Sequence, residues 1–284
     1  MLLVVALLQA VGPATVERTG AFASPRVTES SGVVVSRAHP GLLWTHNDSG
    51  DEAFLYATDL TGADRGRVRI PGISPADAED LALGPCPTAP AHCLYLADTG
   101  DNREARAWIA VYAVPEPVPP TGAGDVERSS APPRQLRLRY PDGPHDVEAV
   151  FVTDGGTVYL VTKGRGGRVA VYRVARAAWD GRGVAVAEFV QTLPVEGRSR
   201  GGRFVTGAAL SPDGSLVALR SYTGIVFFDL RPDGTLRPTG RGCDVRGHEP
   251  QGEGVAFLDA RRLVLTSEAT RTAPGPIHVV TCPA

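Results

Sequence analysis

The chain is expected to be all-β: a five-bladed β-propeller of four-stranded antiparallel blades around a central channel, with a six-bladed ring as the alternative. Two observations predict it. One short phrase recurs five times, a small or acidic residue, then a small residue, then an apolar run that enters a turn. The copies are Ser31-Gly32-Val33-Val34-Val35, Glu79-Asp80-Leu81-Ala82-Leu83, Glu148-Ala149-Val150-Phe151-Val152, Thr206-Gly207-Ala208-Ala209-Leu210 and Glu253-Gly254-Val255-Ala256-Phe257. They lie 48, 69, 58 and 47 residues apart, near the roughly 40–50 residues of a four-stranded blade. In addition, each phrase is followed by further β-rich runs divided by turn chemistry, and no segment sustains helical periodicity.

Taken in order, residues 1–14 read as a signal peptide, an apolar run followed by Gly12-Pro13-Ala14, although no basic residue precedes the run. Residues 15–22 are expected to supply the missing fourth strand of blade five and so close the ring. Strands are expected at 42–46 and 54–60 in blade one, 93–97 and 108–114 in blade two, and 158–162 and 168–174 in blade three. Blade four takes 216–219 and 225–230, and blade five takes 263–266 and 277–281. Asp154-Gly155-Gly156, Pro212-Asp213-Gly214 and Pro232-Asp233-Gly234 carry the positive φ of tight reversals. Residues 115–133, rich in Pro, Gly and Ser, read as an exposed excursion without ladder strands, and 196–203 as a solvated Arg- and Gly-rich loop.

A net charge of −2, a pI near 6.3 and a single lysine, Lys163, argue against a nucleic-acid partner. No apolar run reaches the roughly 20 residues a membrane span needs, so no span is expected, and the protein should be a monomer. Four cysteines suit an exported chain. Cys86 and Cys93 flank a short Pro-rich turn and should pair with each other, which leaves Cys243 for Cys282.

Because the first strand of each blade lines the axis, Glu79, Glu148 and Glu253 should face one channel, with Ser31 and Thr206 in the same slot. Asp77 and Asp146 stand two residues ahead of their glutamates, and Glu29 and Asp80 add to the same end. Crowded carboxylates in a low dielectric need protons, donors or a bound cation, and an all-oxygen set suits calcium. The alternative role for these glutamates is to brace the ring by accepting backbone N–H bonds. A second series, where the second strands end, is expected to place Asp48, Asp98, Lys163, Arg220 and Glu268 at the channel mouth as ligand-binding groups together with Glu253. The histidines form no metal set, and no nucleophile elbow, phosphate loop or CxxC is present.

The phrases Gln251-Gly252-Glu253-Gly254-Val255-Ala256 and Asp77-Ala78-Glu79-Asp80-Leu81-Ala82 resemble the SdiA-regulated family of exported five-bladed propellers. Glu29-Ser30-Ser31-Gly32, Leu43-Trp44 and Asn47-Asp48-Ser49-Gly50 more weakly resemble the esterase-like phytase propellers. The resemblance implies a periplasmic or secreted ring with an acidic channel able to hold calcium. The expected function is an exported binding module whose channel holds calcium or a small polar ligand and whose loop face meets a protein partner. The alternative is a secreted hydrolase, glycosidase or phosphoesterase in type, drawing acid and base from Glu79, Glu148, Glu253 and Asp98. With 6% aromatic residues and three scattered tryptophans, sugar-stacking surface looks sparse in the sequence.

Overall fold

Alternating apolar positions and glycine turns leave these segments little choice but antiparallel hairpins, and the computed structural model, which describes residues 10–120, 126–195 and 204–283, shows five such sheets. The innermost strands are Ser30–Val35, Ala78–Pro85, Val147–Val152, Val205–Leu210 and Gly252–Phe257. Each packs against its sequence neighbours, and the last packs against the first, so the ring closes. The second and third strands, such as Leu43–Asn47 and Phe54–Thr58 in blade one, fall where the sequence places them. Gly156, Gly214 and Gly234 hold φ of 79°, 72° and 85° in the expected turns.

Closure works as expected: Thr15–Ala21 pairs antiparallel with Pro276–Thr281 and becomes the outer strand of blade five. The blades are not uniformly four-stranded. Glu127–Ser129 adds a parallel strand to the edge of blade one, Val184–Val186 to blade two and Ala10–Pro13 to blade four. The first of these corrects the reading of 115–133 as free of strands: Arg67–Arg69, left as an open edge by blade one, supplies a template for Glu127–Ser129. Residues 1–9 of the expected signal peptide and the loop 196–203 lie outside the described residues. Among the described residues no helix is long and apolar enough to cross a membrane.

The core is five wedges, one in each seam between neighbouring blades. Trp44 fills the seam of blades one and two and Trp179 that of blades two and three, both buried. Both expected disulfides are present, Cys86–Cys93 within blade two and Cys243–Cys282 joining the outer part of blade four to the chain end beyond blade five.

Candidate functional site

At the mouth of the axis the backbone repeats one bond. The residue leaving the second strand donates its N–H to the carbonyl two positions before the phrase: Asp48 to Glu29 (3.0 Å), Gly100 to Asp77 (3.1 Å), Lys163 to Asp146 (2.9 Å) and Glu268 to Gln251 (3.0 Å). In blade four the ladder pairs Val205 with Ser221, which puts Tyr222 in that place. The mouth series is therefore Asp48, Gly100, Lys163, Tyr222 and Glu268, and the two expected members Asp98 and Arg220 do not occupy it. Turn signals misplace each by two residues, Asp98 for Gly100 and Arg220 for Tyr222, because the slot is set by the backbone pairing of the strands rather than by charge.

Asp98 is buried and accepts the N–H groups of Ala76 (3.2 Å) and Asp77 (3.1 Å), with Arg106 at 2.9 Å. Asn47 does the same in blade one, taking the N–H groups of Thr28 and Glu29, both at 3.1 Å. Arg220 is wholly buried, donating to Gly254 O, to Thr266 O at 2.9 Å and to the Glu249 carboxylate, so it fastens blade four to blade five. Gly100 matters by what it lacks: a Cβ there would stand 2.2 Å from Glu79 Oε1 and 2.5 Å from Asp77 Oδ2.

That gap admits a convergence of acids. Oxygens of Asp48, Asp77 and Glu79 lie within 4.8 Å of one another, as do oxygens of Glu79, Asp146 and Glu148, so Glu79 belongs to both groups. The second group already has cations: Lys163 Nζ donates to Glu148, and Arg165 pairs with Asp146. Glu253 joins neither group. It accepts Gln251 Nε2 at 3.1 Å and a bond from the Tyr222 hydroxyl.

Burial dominates the electrostatics. It pushes Glu79 well above the usual carboxylate range, reinforced by the charges of Glu148, Asp48 and Asp77. Burial lifts Glu253 to about 8, with Glu148 adding to it. Glu268 rises to about 7 and Asp48 to about 6, burial first in each case. Glu148 rises to about 7 because its burial outweighs the help of Lys163. Burial alone would lower Lys163, but Glu148 beside it holds it above its ordinary value. One ammonium is thus shared among more carboxylates than it can neutralise.

Among the described residues, Glu148 and Glu253 accept bonds from side chains, and the backbone bonds that join blades run to Asp80 and from hydroxyls. Asp80, wholly buried, accepts Leu81 N and Val150 N at 2.8 Å and Ala208 N at 3.2 Å, from three blades. Ser31 donates to Glu79 O (2.5 Å), Thr99 to Val147 O (2.8 Å) and Thr206 to Gly252 O (3.1 Å), each lacing its blade to the next. His46 is neutral, lowered to about 4 by burial; its Nδ1–H donates to Asn47 O and its Nε2 accepts Gly32 N–H at 3.1 Å. Beyond Asp80 the inner strands continue around an apolar cavity of about 230 Å³ whose walls include Leu83, Val152, Leu210 and Phe257.

Sequence reading missed Asp80's role and Tyr222. Asp80 was visible as the one acid in a slot filled elsewhere by Gly32, Ala149, Gly207 and Gly254. Tyr222 required counting the ladder rather than searching for charge.

No known protein family matches the chain, and no curated protein does. Among solved structures it is similar to the PQQ-bound aldose sugar dehydrogenase of Streptomyces coelicolor, with 14% identity, a TM-score of 0.53, and coverage of 96% of this chain and 100% of that one. A gluconolactonase from Xanthomonas campestris, XC5397, aligns at 16% identity and a TM-score of 0.46, covering 98% and 93%. The β-propeller domain of Cps50 (Swd1) from Myceliophteria thermophila aligns at 13% and 0.47, covering 95% and 99%. At these identities the first likeness shows the propeller fold alone.

Proposed function

We propose that this chain is an exported propeller binding module whose axial chamber holds a divalent cation of the calcium class, seated on Asp48, Asp77 and Glu79. The observation that carries the reading is the division of charge around Glu79. Lys163 and Arg165 answer Glu148 and Asp146, while the three oxygens on the other side of Glu79 converge within 4.8 Å, and the nearest ammonium belongs to Glu148. A divalent ion there would favour the ionised forms of Asp48 and Glu79, both of which burial pushes above the usual carboxylate range. All-oxygen donors favour calcium over zinc, and the nearby His46 has both ring nitrogens engaged. Two disulfides fit an oxidising compartment.

Calorimetric titration of calcium into chelator-stripped protein tests this. One saturable site is expected, lost in Glu79→Gln and kept in Glu253→Gln, with both variants folded. Absence of heat and of any thermal shift with calcium, magnesium or manganese would remove the cation reading.

A second reading, acid–base hydrolysis, is favoured by Glu148, whose value of about 7 suits a proton donor at neutral pH. Oxygens of Glu79 and Glu148 within 4.8 Å leave less room than the roughly 6.5–9.5 Å of an inverting pair, so this reading is confined to the closer, roughly 5–5.5 Å spacing of a retaining pair. Turnover of chromogenic glycosides or phosphoesters, abolished by Glu148→Gln, would establish it.

A further inference from the structure

Trp108, far in the sequence from Tyr140 and His145, meets them at one place. Beside the acidic mouth, the loop ahead of Ile109–Pro115 and the loop after Arg134–Arg139 enclose a cavity of about 220 Å³ walled in part by Trp108, Tyr140, His145, Asp101 and Arg106. It is smaller than the roughly 300–1,000 Å³ of sites for drug-sized ligands, which limits an occupant to one small ring.

Three features define what that ring must be. Trp44 and Trp179 are 0% and 3% exposed, but Trp108 keeps 39% of its surface open although Arg137 lies 4.7 Å over its indole. Such an open, pinned aromatic surface attracts C–H groups or another ring. The ionic groups of the wall are already matched: Arg106 pairs with Asp98 at 2.9 Å and donates to Gly100 O at 2.8 Å, while the Asp101 carboxylate accepts Ala105 N and Arg106 N, both at 2.7 Å. Arg139, exposed, is the remaining charge on the lining. Lastly, the Tyr140 hydroxyl is buried without a hydrogen-bond partner, although its ring is fixed between His145 (5.2 Å) and Tyr172 (4.8 Å). A buried donor left unmade is costly, and an oxygen-bearing ligand would relieve it.

The geometry points to a carbohydrate subsite: Trp108 stacks on the C–H face of a single neutral pyranose, and Tyr140 hydrogen-bonds one of its hydroxyls. This goes beyond the cation reading and does not depend on it, since none of the proposed cation ligands contributes to the wall.

Titration calorimetry with a panel of neutral pyranoses (glucose, galactose, mannose and xylose), run in excess chelator, tests the subsite apart from the metal. At least one sugar is expected to bind with millimolar affinity. Trp108→Ala should weaken that sugar about tenfold, or 1.4 kcal/mol. Tyr140→Phe should weaken it roughly fivefold, the worth of one neutral hydrogen bond, while leaving the melting temperature equal or higher because the orphaned hydroxyl is gone. In wild type the bound sugar should also perturb indole emission, since Trp108 is the one open tryptophan of three. If no sugar of the panel binds, or if Trp108→Ala binds it as wild type does, the inference is overturned. A Tyr140→Phe variant that loses stability and leaves the sugar unaffected would overturn the role of Tyr140 in it.

Discussion

The Asp80 carboxylate accepts the backbone N–H of Ala208 at 3.2 Å, across 128 residues of sequence and from two blades away around the ring. The same carboxylate holds Leu81 and Val150, so three inner strands converge on one side chain at the axis. Burial raises its proton affinity well above the usual range, and the three N–H bonds oppose that rise. Removing it orphans three buried donors. Asp80→Ala is therefore expected to destabilise by about 3–5 kcal/mol, read from urea unfolding, and Asp80→Asn by less, since it keeps one acceptor oxygen. A loss under about 1 kcal/mol would mean that the ring does not depend on this convergence.

Stability of the cation-free protein should fall as pH rises from about 5 to about 8. The unfolded chain has released its carboxyl protons by about pH 5, whereas folded Asp48, Glu148, Glu268 and Glu253 hold theirs to about 6, 7, 7 and 8. The native state then binds more protons than the unfolded one, which makes the slope of stability against pH negative. Saturating calcium should flatten that slope by replacing protons as the counter-charge. Denaturant midpoints across the window, with calcium and with chelator, supply the check.

Lys163→Met removes the ammonium beside Glu148 and leaves the chamber more negative. Calcium affinity is expected to rise about tenfold, the scale of one neighbouring charge at intermediate dielectric. In the same variant the melting temperature without cation should drop, because a buried carboxylate has lost its partner. Unchanged affinity would separate Lys163 from the cation site.

The two disulfides should differ in worth. By loop closure, Cys243–Cys282, spanning 39 residues, contributes about 4 kcal/mol, and Cys86–Cys93, spanning 7, about 2.5 kcal/mol. Serine pairs at each site, compared by chemical denaturation, measure the difference.

The sequence by itself determined the ring. Five recurrences of one phrase, turn glycines at Gly156, Gly214 and Gly234 and a spare N-terminal strand suffice, because strand period and turn chemistry are local properties that repetition amplifies. It also located Glu79, Glu148 and Glu253 at the axis, since rotational equivalence follows from the repeat. Which acids meet was decided only in three dimensions. The extra residue before Gly100 and the register of Ser221 opposite Val205 move the mouth series off Asp98 and Arg220, and these shifts come from backbone pairing between strands rather than from side-chain type. The gathering of Trp108, Tyr140 and His145 around one cavity is likewise tertiary: two loops separated in the chain are brought together by the sheet that carries them, and no local pattern records their meeting.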